Sequence, residues 1–412
     1  MTTERVVIVG AGQAGGWTAR TLRDEGYAGS IVLVGAEAHP PYERPPLSKE
    51  ILLGESTPDA LTIVDNDTLK ALDIATLFNT TVVDIDKVAR QVTLSTGQLL
   101  AYDKLVLCTG GRARRLPIEG IEHERVHTLR TLDDALRLKA ALSNDTGHVL
   151  VIGGGWIGLE VASSARQMGC EVTIVEYADR LCQRSVAADV SETLLALHTS
   201  HKVNVLLGTH VLGASPSETG INLILSNEQT LSFTHVIVAA GLIANDELAQ
   251  QAGLVCDNGI HVDDRCLTSD PDIYAAGDVA ITETAPGGIW TRLESWQNAQ
   301  DQGIAVAHSI LSHDLSYRPT PMLWSQQYDH FIQVAGHVNS ATKTVLRQLP
   351  NGGSLRFYLD ADNTTLGVIG MNAGRDFRFA RQLIERGANV LPEDLADANK
   401  PLNRLAASAI IA

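Results

Sequence analysis

The chain has 412 residues, 44% apolar and 19% charged, which suits an ordinary globular protein of two or three domains. Its net charge of −16 argues against nucleic acid or an anionic membrane surface as partner. No apolar run approaches the roughly 20 residues a membrane-spanning helix needs, and the N-terminus, MTTERVVIVGAG, lacks the features of a secretory signal, so a cytoplasmic protein is expected.

Residues 5–10, RVVIVG, form a short β-branched run that reads as a buried parallel strand. The turn Gly10-x-Gly12-x-x-Gly15 and a helix-like stretch through Arg23 follow. Glycines at this spacing allow a tight turn, backbone approach to a pyrophosphate, and close helix–strand packing, and the helix N-terminus offers N–H groups to the phosphates. The next strand ends at Glu37, near the offset of about twenty residues for an acid that bonds a ribose hydroxyl. The loop at 40–50, PPYERPPLSKE, then brings prolines, Arg44 and Lys49, and no cysteine. After the strand KLVLC comes a Thr109-Gly110 turn.

The nucleotide unit then recurs. HVLVIGGGWIGLE carries Gly153-x-Gly155-x-x-Gly158, and EVTIVE closes the second βαβ unit at Glu176. One such glycine pattern is a weak signal; two, each between strands and each with its terminal acid, predict two dinucleotide sites. A carboxylate at Glu176 suits a ribose hydroxyl and repels a 2′-phosphate, and the following Tyr177 and Ala178 supply no compensating Arg, so NADH is favoured over NADPH. His198 and His201 sit at helical spacing without a third ligand and are read as a solvated helix face; no metal site is expected. The five cysteines, Cys108, Cys170, Cys182, Cys256 and Cys266, are scattered, odd in number, and read as buried or incidental thiols. Residues 323–412 hold nine Lys/Arg and eight Asp/Glu, with Arg375, Arg378, Arg381 and Arg386 clustered, so an acidic partner meets least repulsion there.

Downstream, CLTSDPDIYAAGDVA contains Thr268 and a strand running into Gly277-Asp278. With the Thr109-Gly110 turn, this resembles the two-dinucleotide-binding-domain flavoprotein superfamily from residue 5 to about residue 390. The resemblance implies that the first site holds FAD and the second NAD. For FAD it implies Gly10, Gly12, Ala14, Gly15, Glu37, Arg44, Lys49, Thr109, Gly110, Asp278, Val279, Trp296, Gln297 and Trp324. For NAD it implies Gly153, Gly155, Ile157, Gly158, Glu176, Arg184 and Gly241. Disulfide-reductase members keep two cysteines in the loop region occupied here by 40–50, and NADH peroxidase and oxidase relatives keep one. PYERPPLSK, ESWQNAQDQG (294–303), LWSQQYDHFIQVAG (323–336) and NAGRDF (372–377) instead resemble the ferredoxin reductase branch, especially the FAD reductase component of bacterial aromatic-ring dioxygenase systems.

That branch implies an α/β fold with two Rossmann-like nucleotide-binding domains and a C-terminal α/β domain. The expected bounds are 1–113 with 246–322 for FAD, 114–245 for NADH, and 323–412 for the last domain. Lys49 and Glu160 are implied as a catalytic pair, the fixed cation favouring the anionic reduced flavin. The implied activity passes hydride from NADH to FAD and then single electrons to a [2Fe–2S] ferredoxin, Rieske-type, which feeds a terminal aromatic-ring oxygenase. A reductase of a P450-type ferredoxin or of rubredoxin shares these motifs. So does a flavoprotein whose NADH binding gates protein association, as in apoptosis-inducing-factor relatives.

Overall fold

The computed structural model describes residues 4–144, 146–218, 220–285, 289–313 and 315–408. The chain forms two compact units. One comprises the chain up to Pro45, Thr57–Arg112 and Leu242–Pro319; the other comprises Pro46–Ser56, Ala113–Gly241 and the chain from Thr320 on.

The first unit begins with β1 (Arg5–Val9), α1 (Gln13–Asp24) and β2 (Ser30–Val34), followed after a loop by β3 (Ile74–Leu77) and, past a meander, β4 (Lys104–Leu107). Val6, Val7 and Ile8 are fully buried, since a parallel strand between helices is covered on both faces. Each such side chain contributes about 1.5–3 kcal/mol by leaving water. α1 turns Ala14, Ala19 and Leu22 inward and stops where Tyr27 N–H bonds back to Leu22 C=O at 2.8 Å.

In the second unit, β5 (Val126–His127) precedes a repeat of the same plan: β6 (His148–Ile152), α2 (Trp156–Gln167), β7 (Glu171–Val175), α3 (Ala188–Ser200), β8 (Asn204–Leu206) and, after a second meander, β9 (His235–Val238). The chain then returns to the first unit with β10 (Ile273–Ala275) and α4 (Trp296–Ile310). The sheets of these two repeats, five strands each, have the orders β10-β4-β1-β2-β3 and β8-β7-β6-β9-β5. Every pairing in them is parallel. In each, the chain leaves the glycine-turn strand on one side and comes back on the other. That topological switch opens a crevice at the carboxyl end of β1 and of β6, where a ligand fits.

The last part of the second unit is an antiparallel sheet of β11 (Met322–Gln327), β12 (His330–Gly336), β13 (Lys343–Gln348), β14 (Ser354–Leu359) and β15 (Thr365–Met371), in the order β11-β12-β15-β14-β13. Helices α5 (Arg375–Glu385), α6 (Pro392–Ala396) and α7 (Leu402–Ser408) follow. One face sends Ile332, Val334, Tyr358 and Ile369 into the core that also holds Leu159, Val161 and Leu194. The other packs Phe357 and Val368 against Phe377, Ala380 and Leu383 of α5. The C-terminal sheet thus shares a core with α2 and α3. Among the described residues no helix is long and apolar enough to cross a membrane.

Candidate functional site

Each glycine turn divides into residues the protein requires and one it leaves open. Gly10 stands at φ +112°, and a Cβ there would lie 2.0 Å from Cys108 O; a Cβ on Gly15 would lie 1.9 Å from Gly10 O. Gly153, at φ +115°, and Gly158 repeat this against Ala239 O at 2.4 Å and Gly153 O at 2.0 Å. No protein packing demands the middle glycines: a Cβ at Gly12 meets only Arg44 Nη2 at 3.8 Å, and one at Gly155 meets nothing within 4 Å. Gly12 and Gly155 are the N-caps of α1 and α2, and neither helix start has a side-chain cap. Open backbone and uncapped N–H groups fit diphosphate at both places.

Around the first turn, Glu37, Tyr42 and Arg44 close a triangle. Tyr42 Oη donates to Glu37 Oε2 at 2.6 Å, and Arg44 donates through Nη2 to Glu37 Oε1 at 2.7 Å and through Nη1 to Tyr42 Oη at 2.8 Å. This holds Arg44 beside the open backbone of Gly12 and leaves Glu37 lone pairs for a ribose hydroxyl. The Thr109-Gly110 turn is clamped by Asn245, whose Nδ2 donates to Thr109 O at 3.0 Å while its carbonyl accepts from Thr109 Oγ1 at 2.7 Å. Asp278 and the buried Val279 follow the Gly277 turn, which Gln302 Oε1 fixes by accepting from Gly277 N–H at 2.8 Å. Trp296 opens α4 behind the cap Ser295, whose Oγ accepts from Asn298 N–H at 3.2 Å. Gln297 donates along the helix to Asp301, and Ala14 packs against Gly277. With its amide oxygen turned inward, Gln13 accepts from the indoles of Trp17 at 3.3 Å and Trp296 at 3.0 Å.

In the second unit Glu176 accepts from Gly154 N–H at 2.5 Å and Ala178 N–H at 2.8 Å, so backbone donors fix the carboxylate at the end of β7. Ile157 and Tyr177 are exposed although apolar and aromatic. Arg184 reaches the Gly241 turn, its Nη2 lying 3.9 Å from where a Gly241 Cβ would be. Arg180 is tied to Val186 O and Ser191 Oγ.

Lys49 and Glu160 form a buried ion pair at 2.9 Å, with 8% and 4% of their side chains exposed. Such a pair survives burial only when its other lone pairs are satisfied. Glu160 Oε2 also accepts from Ser48 Oγ at 2.5 Å, and Oε1 accepts from Ser325 Oγ at 2.8 Å and Gln326 N–H at 3.4 Å. Ser164 Oγ in turn donates to Ser48 O at 2.7 Å. Trp324 lies beside the ammonium, its ring centroid 4.9 Å from Nζ. An ammonium has three donors; among the described residues Glu160 is its one hydrogen-bond acceptor, so N–H groups remain for a ligand. Ser48 and Ser325 escaped the sequence reading, although both lie in stretches quoted for their neighbours.

Two expectations change. His198 is not on a solvated face: it is fully buried, its Nε2 sharing a hydrogen bond with Gln327 Oε1 at 3.0 Å, while His201 stacks on Tyr328 at 3.6 Å. Within the arginine cluster, Arg381 is engaged by Glu385 at 2.8 Å and by Met322 Sδ, whereas Arg375 and Arg378 are exposed. Four of the five thiols fit the reading of buried cysteines. Cys108, Cys170, Cys182 and Cys266 are buried; burial pushes Cys108 up to about 12 and half-buried Cys256 to about 11.

Residues 4–303 match the pyridine nucleotide-disulphide oxidoreductase family model, and residues 322–406 match the reductase C-terminal model. The chain is 39% identical over 401 residues to the ferredoxin–NAD(+) reductase component of the anthranilate 1,2-dioxygenase system of Burkholderia cepacia, covering 96% of this chain and 98% of that one. It resembles the reductase in a crystal structure of a covalent putidaredoxin reductase–putidaredoxin complex, with TM-score 0.94, 35% identity and 99% of each chain covered. It also resembles the ferredoxin reductase for the CYP199A2 system from Rhodopseudomonas palustris, with TM-score 0.93, 34% identity, and 98% of this chain and 100% of that chain covered. Two dinucleotide cradles, a loop without a thiol and these likenesses agree: the chain belongs to the pyridine nucleotide-disulphide oxidoreductase family, among its ferredoxin–NAD(+) reductases.

Proposed function

We propose that the protein is an FAD-dependent NADH:ferredoxin oxidoreductase that supplies a [2Fe–2S] ferredoxin, Rieske-type, of an aromatic-ring-hydroxylating dioxygenase system. The carrying observation is the buried ion pair between Lys49, in a loop that offers no thiol, and Glu160 of α2. The dioxygenase assignment is supported by the relative from the anthranilate system. FAD, when bound, supplies the chemistry of accepting a hydride and releasing electrons singly.

The chain's own residues bind, orient and select. Gly10, Gly12 and Gly15 with the α1 N-terminus would hold the FAD diphosphate, and Glu37 the ribose, with Arg44 beside them. Gly153, Gly155 and Gly158 would hold the NADH diphosphate, with Glu176 on the ribose and Ile157, Arg184 and Gly241 lining the rest. Lys49 is a cation that cannot swing away, because Glu160 is itself held by Ser48, Ser325 and the Gln326 N–H. Its remaining N–H groups are open to a ligand, and Trp324 covers the ammonium from one side. We place the activity in the cytoplasm, on the NADH pool it draws from.

A second reading has one specific support, the likeness to a reductase serving a CYP system. Anaerobic stopped-flow mixing of the flavoprotein with NADH, then with purified Rieske-type and P450-type ferredoxins, separates the two. We expect rapid bleaching by NADH and faster reduction of the Rieske-type protein. Preference for the P450-type ferredoxin reverses the partner, and reduction of neither refutes ferredoxin reductase activity.

A further inference from the structure

α1 and α4 lie side by side in the first unit: Thr18 Oγ1 donates to Gly303 O at 3.0 Å, and a Cβ at Gly303 would sit 2.4 Å from Ala14 O. Their N-termini belong to the dinucleotide site described above, but their C-termini gather three side chains that it does not use. Glu25 is the C-cap of α1, and His308 lies in the last turn of α4. His313 comes just after that helix, folded back by Ser312 at φ 60° and by a bond from its N–H to His308 O at 2.9 Å. One ligand atom from each lies within 4.8 Å of the others. His308 Nε2 is 3.9 Å from Glu25 Oε1, and the two imidazole centroids are 5.3 Å apart.

We propose that Glu25, His308 and His313 form a binding site for a divalent transition-metal ion of the zinc class, which staples the C-terminal ends of α1 and α4. Two imidazole nitrogens and one carboxylate oxygen are a ligand set that zinc accepts, with water completing the shell. Bonds of about 2.0–2.2 Å place tetrahedral ligand atoms roughly 3.4 Å apart. Small rotations of the exposed Glu25 and His313 side chains bring the present cluster to that spacing. Both helices present their negative dipole end here, which favours a cation. Two arginines of α1 are committed elsewhere: Arg23 donates to the carbonyls of Leu72, Tyr27, Gly29 and Asp73, and Arg20 pairs with Asp24.

The test uses tag-free, FAD-loaded protein stripped with chelator and titrated with Zn²⁺ against a chromophoric indicator, with thermal melts run alongside. One saturable equivalent is expected, together with a rise in Tm that chelator reverses. His308→Ala and His313→Ala should each weaken binding at least about tenfold, the loss that changes one shell further out already produce. Glu25→Gln, a surface change with little demand on folding, should weaken it too and abolish the Tm rise, while His330→Ala should do neither. Flavin absorbance and circular dichroism establish that each variant is folded. No saturable equivalent, or one retained in the His308→Ala/His313→Ala double variant, overturns the site. Binding without a rise in Tm overturns the staple.

Discussion

Glu160 of α2 sits where three segments meet, and its four donors come from the 40–50 loop and from β11. Removing it strands a buried ammonium. Glu160→Leu should therefore destabilise the protein by about 3–5 kcal/mol. The double variant Lys49→Met/Glu160→Leu should recover at least half of that loss, because no unpaired charge remains. Urea midpoints of the two variants measure this, and equal midpoints would mean the pair is uncoupled. Glu176 is the second decisive residue. Its carboxylate is fixed by two backbone N–H groups, and Arg180 is tied away from it. Glu176→Ala should narrow the NADH-over-NADPH ratio of kcat/KM by about 10–100-fold, chiefly through KM, equivalent to roughly 1–3 kcal/mol of repulsion. An unchanged ratio sinks the assignment.

Among the elements, β13 carries a buried guanidinium that ties down the chain's last helices. Arg347 is 2% exposed and donates to Leu395 O at 3.1 Å and Lys400 O at 2.6 Å. Arg347→Met leaves those carbonyls without their donor and should cost about 2–4 kcal/mol. Limited proteolysis should show faster cleavage beyond residue 395, and the Tm should fall. α5 offers a different test. Because Arg381 is occupied by Glu385 and Met322, the exposed Arg378 is the better candidate for meeting an acidic ferredoxin. Arg378→Glu should raise the KM for ferredoxin several-fold at low salt, with the effect fading as salt is added. Bleaching by NADH alone should stay within about twofold, since this step needs no ferredoxin. Unchanged ferredoxin kinetics at low salt would move the docking surface elsewhere.

At the scale of the whole molecule, the second unit holds two histidines whose burial makes its stability depend on pH. Burial, with the neighbouring His235, pushes His127 from the ordinary 6.5 down to about 4, and burial does the same to His198. Above pH 6.5 neither folded nor unfolded chain is protonated at these sites, so they leave stability unchanged. As pH falls below 6.5 the unfolded chain takes up protons that the folded chain refuses until about 4, so stability declines across that window. Urea midpoints between pH 7 and about 5, above the range where carboxylates dominate, should fall with acid. His198→Gln should flatten the slope by roughly one proton; an unchanged slope would mean His198 is charged in the folded protein.

The sequence by itself determined both strand–glycine-turn–helix units, because glycine spacing, strand run and terminal acid are local and act through backbone geometry. It also determined that the 40–50 loop contains no cysteine, which is a matter of composition, and its likeness to a family pointed to Lys49 facing Glu160. Other features depend on segments distant in sequence. The Ser48 and Ser325 hydroxyls reach Glu160 only because the loop, α2 and β11 converge. Asn245 clamps Thr109 across 136 residues. His198 was legible in part: Val190, Leu194 and Leu197 share its helical face, and that periodicity marks it as buried. Its partner Gln327 lies 129 residues further along, on a strand whose placement no local pattern encodes. Tertiary structure also decided that residues 46–56 join the second unit, and that the C-terminal sheet does so too by burying Ile332, Val334 and Ile369 with α2 and α3. Apolar area is buried wherever complementary faces meet, and which faces meet is a property of the folded chain alone.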